Sequence, residues 1–211
     1  MTPGAGFRPG RIYAIADAEA LAPRSLAEGA FIMAQAGITT IQLRAKSLED
    51  DVLFSEVERC LRLLGDWPGT LWIDDRVDLA LLLPLAGVHL GRGDMPAAAA
   101  RRLLPPAIRI GVSTHDEGQL ALADAEAAAD WIAFGPIFTT RSKREPDPVV
   151  GLERLRQLRG RTAKPLIAIG GVQRANVAEV LAAGADSVAV IQAVCSGDIA
   201  RNCRELLAAA A

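Results

Sequence analysis

The chain has 211 residues, of which 51% are hydrophobic and only 4% aromatic, with 23 lysines and arginines against 25 aspartates and glutamates. That length suits one large domain, and so even a charge balance argues against a nucleic-acid partner. No apolar run reaches the roughly 18 residues that cross a bilayer, so no membrane partner is expected.

Residues 1–10 are rich in Gly and Pro and lack an apolar stretch. They read as a flexible N-terminal segment, neither signal peptide nor anchor, ahead of one domain over 11–211. Few aromatics leave Ala, Leu, Val and Ile to build the core, which suits a parallel sheet covered by helices. Cys60, Cys195 and Cys203 fall in no metal-ligand or disulfide spacing. They read as reduced, structural thiols of a cytoplasmic protein.

Short β-rich runs begin at 12–16 and recur at 40–43, 71–73, 87–90, 108–112, 131–134, 166–169 and 187–191. Between them, apolar residues recur three and four apart, clearly so in 26–36, 52–64 and 177–182. Ser25 precedes one helix as an N-cap, and Ser47 is expected to cap another from three residues before Asp50. Gly37 and Gly184 close helices, since glycine accepts a left-handed cap without steric cost. Eight strands each followed by a helix within this length predict a single (β/α)₈ TIM barrel. A doubly wound open sheet competes, but Ala16-Asp17-Ala18-Glu19 after the first strand lacks its Gly-rich turn.

Polar residues just after each barrel strand face one shared mouth. After strand two, alternation puts Gln42, Arg44 and Lys46 on one side and Leu43 and Ala45 on the other, an arrangement suited to an anion. After strand three stand Asp74 and Asp75, and after strand four Asp94 follows Gly91-Arg92-Gly93. Carboxylates from neighbouring strands are the usual sparse ligation for Mg²⁺, though Asp75 and Asp94 could instead cap the helices behind them. Ser113 follows strand five, with Thr114 or Asp116 as the next helix cap. The polar insertion 139–150 follows strand six, carries Thr140, Arg141, Ser142 and Lys143, and reads as a phosphate-gripping loop. Gly170-Gly171 follows strand seven and is expected to offer backbone N–H groups just ahead of a helix N-terminus. Ile191-Gln192 ends strand eight, completing the usual phosphate address of a barrel. His89, inside strand four, and His115, opening a helix, read as hydrogen-bonded structural histidines.

Gln42 to Lys46, Asp75, Gly91 with Asp94, Ser113-Thr114-His115, Gly135-Pro136 with Thr140 and Lys143, and Gly170-Gly171 together resemble the thiamine-phosphate synthase family from about Ile12 to Val194. The resemblance implies a TIM barrel that joins a pyrimidine methyl diphosphate to a thiazole phosphate and releases pyrophosphate with Mg²⁺. It implies that Gln42, Arg44, Lys46, Asp74, Ser113 and Lys143 hold the pyrimidine diphosphate, with Arg44, Lys46 and Lys143 catalytic. It assigns Mg²⁺ to Asp75 and Asp94, and the thiazole phosphate to Thr140, Ser142, Gly171, Ile191 and Gln192. It also implies a homodimer. Three positions depart from the pattern: Asp74 replaces an Asn, Arg92 a Gln, and Gln192 a Ser. A carboxylate at 74 repels pyrophosphate unless it is protonated, turned away or metal-bound. The related thiazole tautomerases have lost much of the diphosphate set and can carry a catalytic His in the slot of Pro136. A catalytically silent thiazole-phosphate-binding barrel is the remaining alternative, motivated by Asp74 and Gln192.

Overall fold

Strand β1 (Ile12–Asp17) is buried at all six positions, as a strand covered on both faces must be. Our computed structural model describes residues 8–140 and 147–211. After β1 come the short helix α1 (Ala18–Leu21), α2 (Leu26–Gln35), β2 (Thr40–Arg44), α3 (Asp50–Leu64) and β3 (Thr70–Asp74). Next are α4 (Val77–Leu82), β4 (Gly87–Leu90), α5 (Ala97–Leu103), β5 (Arg109–Thr114), α6 (Glu117–Ala125) and β6 (Trp131–Phe134). The chain ends with α7 (Gly151–Arg159), β7 (Leu166–Ile169), α8 (Val177–Ala182), β8 (Ser187–Val190), α9 (Gln192–Cys195) and α10 (Ile199–Ala209). Every strand pairs in parallel with its sequence neighbour, and β1 pairs with β8 to close the barrel. The chain is a (β/α)₈ barrel, as the alternation predicted.

Local signals explain several element ends. Ser25 and Glu28 form a reciprocal capping box at the start of α2. Gly37 and Gly184 follow the last turns of α2 and α8 in the left-handed region, at φ 100° and 106°. The cap expected at Ser47 is not there: α3 begins at Asp50 with Glu49 as its N-cap and no side-chain cap bond. The chain stays non-helical through 47–48 while Leu48 reaches the core, and Asp50 and Asp51 support the first turn through the helix dipole.

The core corrects one expectation. Between sheet and helices it is aliphatic, with Ile41, Leu43, Leu53 and Val57 among its buried residues. Inside the barrel, however, Tyr13, Trp72 and Trp131 pack together, with ring centroids 5.3–6.2 Å apart. These three aromatics stand where a barrel interior needs bulk, and they form the floor beneath the mouth. Among the described residues no helix is long and apolar enough to cross a membrane.

Candidate active site

The strand ends that carry the polar residues open into a single cavity of about 910 Å³. Gln42, Arg44, Lys46, Asp74, Asp75, Asp94, Ser113, Thr140, Gly171, Ile191 and Gln192 all line it. Arg141, Ser142 and Lys143 lie outside the described residues.

Period-two alternation along β2 gives one wall. Gln42 is 2% exposed and its amide donates to Tyr13 Oη at 3.3 Å. Arg44 is ion-paired through Nη1 with Asp17, and its Nε lies 3.4 Å from Asp74 Oδ2. Lys46 is ion-paired with Asp75, with Asp74 Oδ2 at 3.6 Å from Nζ. Both cations are therefore held by carboxylates in the wall. Burial raises the Asp74 pKa above the ordinary carboxylate value, Lys46 and Arg44 pull it back, and Asp94 pushes it up again. The extra carboxylate at position 74 is thus shared between the two cations rather than left facing the mouth alone.

Asp75 and Asp94 do not cap helices. Asp75 has φ 61°, a left-handed conformation costly for a side-chain-bearing residue, and its N–H donates to His89 O on β4 at 2.8 Å. Arg76, not Asp75, is the N-cap of α4, which leaves the Asp75 carboxylate to Lys46. Pro96 is the N-cap of α5, while Asp94 Oδ2 accepts the Gly91 N–H at 2.7 Å across a tight turn. Among the described residues no three His, Cys, Asp or Glu side chains gather closely enough to enclose a metal ion. Two carboxylates lining one cavity from adjacent strand ends still fit an ion that keeps waters and substrate oxygens as its other ligands.

The next side of the cavity holds both histidines, each hydrogen-bonded as expected. His89 Nε2 lies 2.8 Å from Ser113 Oγ, and its ring stacks on Trp131 at 4.8 Å. His115 precedes α6 rather than opening it; Asp116 is the cap, accepting the Gln119 N–H at 2.8 Å. Thr114 Oγ donates instead to Ala133 O. His115 Nδ1 donates to Gly135 O at 2.6 Å, since a carbonyl can only accept, and Nε2 lies 3.3 Å from Asp147 Oδ2.

Opposite stand Gly170 and Gly171, at φ 97° and 65°, a conformation glycine adopts without strain. A Cβ on Gly171 would meet Thr139 O at 2.6 Å, so these two loops touch through backbone. The helix expected directly behind the glycines starts only at Val177, because a turn from Gln173 to Asn176 intervenes and Asn176 Nδ2 donates to Gly171 O at 3.2 Å. Gln192 does not plug the cavity: its Oε1 accepts from Ser196 Oγ at 3.3 Å. Tyr13, His89, Trp131, His115 and Asp147 line the cavity as well, unanticipated as site residues. Asp17 lies behind the wall, 5% exposed, and its pairing with Arg44 is legible only once β1 and β2 are in register.

Residues 12–194 match the family model described as thiamine monophosphate synthase. The thiamine-phosphate synthase of Koribacter versatilis is 43% identical over 190 residues, covering 88% of this chain and 89% of that protein. The thiamine-phosphate synthase of Methanoregula boonei is 43% identical over 197 residues, covering 92% and 90%. The structure of a thiamine phosphate pyrophosphorylase from Pyrococcus furiosus superposes with a TM-score of 0.84 at 31% identity, over 95% of each chain.

Proposed function

The chain belongs to the thiamine monophosphate synthase family, and from that membership we propose that it is a thiamine-phosphate synthase acting at the mouth of its barrel. It condenses 4-amino-2-methyl-5-(diphosphooxymethyl)pyrimidine with a thiazole phosphate, giving thiamine phosphate and pyrophosphate. The observation that carries this reading is the meeting of Gln42, Arg44 and Lys46 with Asp75, Asp94, Thr140 and Gly171 in one cavity.

Departure of pyrophosphate builds negative charge on the leaving group. Arg44 can meet phosphate oxygens with a planar fork and Lys46 with a point charge, both on the same wall. Lys143 and Ser113 are assigned to the same substrate, and Thr140, Ser142, Gly171, Ile191 and Gln192 to the thiazole phosphate. Mg²⁺ held by Asp75 and Asp94 would neutralise part of the leaving charge. The pyrimidine is left as a stabilised carbocation, which the thiazole nitrogen attacks. This chemistry needs no strong general base, and it leaves His89 and His115 to shape the cavity. The tautomerase reading is weaker, because Pro136 occupies the slot of that branch's histidine and the diphosphate wall is intact.

The test is formation of thiamine phosphate by the purified chain from both substrates with Mg²⁺. A protein that binds thiazole phosphate without forming product would be the silent barrel instead.

A further inference from the structure

We propose that Asp17, which no part of the diphosphate assignment includes, is a positioning residue that sets the Arg44 guanidinium for the diphosphate. This rests on the reading that Arg44 grips that group.

Asp17 ends β1 and is the register partner of Arg44 on β2. Cross-strand partners share a face, so the two side chains meet by construction rather than by a chance rotamer. The carboxylate is fixed at both oxygens: Oδ1 accepts the Ala20 N–H at 3.0 Å as the N-cap of α1, and Oδ2 takes Arg44 Nη1. The Asp17 side chain is 6% exposed against 20% for Arg44. Asp17 does not line the cavity, whereas Arg44 does. Asp17 therefore reaches a ligand only through Arg44.

The guanidinium has a second carboxylate beside it, with Asp74 Oδ2 at 3.4 Å from Nε. Asp17 holds Nη1 from β1 while Asp74 lies against Nε, so the two carboxylates together fix the plane of the fork. Without that anchor the long Arg44 side chain recovers rotamer freedom and can turn onto Asp74.

Two views of Asp17 predict opposite signs. As plain charge, a carboxylate beside an anion site repels the ligand, and its removal should tighten binding. As an anchor, its removal should weaken binding by about 10- to 100-fold, the usual effect of losing a partner that orients a ligand-holding group. Asp17→Asn separates the two, because Asn removes the charge and keeps an N-cap oxygen for Ala20.

The measurement is calorimetric binding of pyrophosphate with Mg²⁺ to wild type, Asp17→Asn, Arg44→Ala and the double variant, alongside steady-state kinetics. Expected are weaker pyrophosphate binding in Asp17→Asn, a lower kcat/KM for the pyrimidine diphosphate, and an unchanged KM for the thiazole phosphate. In the Arg44→Ala background, adding Asp17→Asn should change binding by less than about twofold, because the two residues act as one unit. Equal or tighter pyrophosphate binding in Asp17→Asn, with Arg44→Ala impaired, would overturn the positioning role. Unimpaired binding in Arg44→Ala would instead overturn the underlying assignment of Arg44. Should Asp17→Asn fail to fold, Asp17→Ser, which also keeps a capping oxygen, serves in its place.

Discussion

Gly111 lies against the indole of Trp131, its register partner on the neighbouring strand, so closely that a Cβ on Gly111 would meet Trp131 Cε2 at 2.1 Å. The same device recurs between β3 and β4: Gly87 is the partner of Trp72, and a Cβ there would meet Trp72 Cζ3 at 2.3 Å. Each tryptophan of the barrel floor leans over a glycine, which lets two indoles and Tyr13 share an interior that small residues could not fill.

Gly111→Ala should therefore overpack the floor, costing about 1–3 kcal/mol. For a chain of this size that lowers Tm by roughly 2–12 °C. Thermal unfolding followed by circular dichroism checks it; an unchanged Tm would mean that the indole swings aside freely.

Arg44→Ala should cut kcat about 10²- to 10³-fold, the scale for removing one donor to a developing charge. The fold should survive, since Arg44 lies at the mouth and not in the core. Steady-state turnover paired with a melting curve separates the two effects.

The strands were readable because their apolar runs are short, β-rich and bounded by polar mouth residues. The mouth residues themselves followed from alternation, which put Gln42, Arg44 and Lys46 on one side of β2 and into one cavity. What stayed hidden depends on contacts between strands. Nothing along the chain ties Asp17 to Arg44 or Trp131 to Gly111, because parallel register brings together residues from different strands that are far apart in sequence. Asp75 was open to two readings, metal ligand or cap of a helix starting at Arg76. The helix starts one residue later with Arg76 as its N-cap, and the left-handed backbone at 75 turns the carboxylate to Lys46.

Asp94→Ala should raise the Mg²⁺ concentration for half-maximal turnover by at least about tenfold, because Asp94 caps no helix and holds only a local turn. A Mg²⁺ titration of initial rates is the check. An unaltered midpoint would restrict Asp94 to closing the turn onto Gly91.

Burial pushes the thiols of Cys60, Cys195 and Cys203 each up to about 12, from an ordinary value of 9.0. The folded chain thus keeps protons that the unfolded chain releases near that ordinary value. Their contribution to stability is complete below about pH 9 and is lost as pH climbs toward 12. Denaturant midpoints measured across that alkaline window should fall. Thiol reagents at mildly alkaline pH should label the native chain slowly and the unfolded chain at all three cysteines; fast labelling of the native chain would contradict the burial.

The most direct measurement is pyrophosphate release by the purified protein given the pyrimidine diphosphate, the thiazole phosphate and Mg²⁺. Release that requires both substrates and the metal is the predicted result, and it would make Asp74 and Gln192 tolerated variations on a working site. No release, with thiazole phosphate still bound, would contradict the synthase assignment and leave a barrel that recognises its ligand without turning it over.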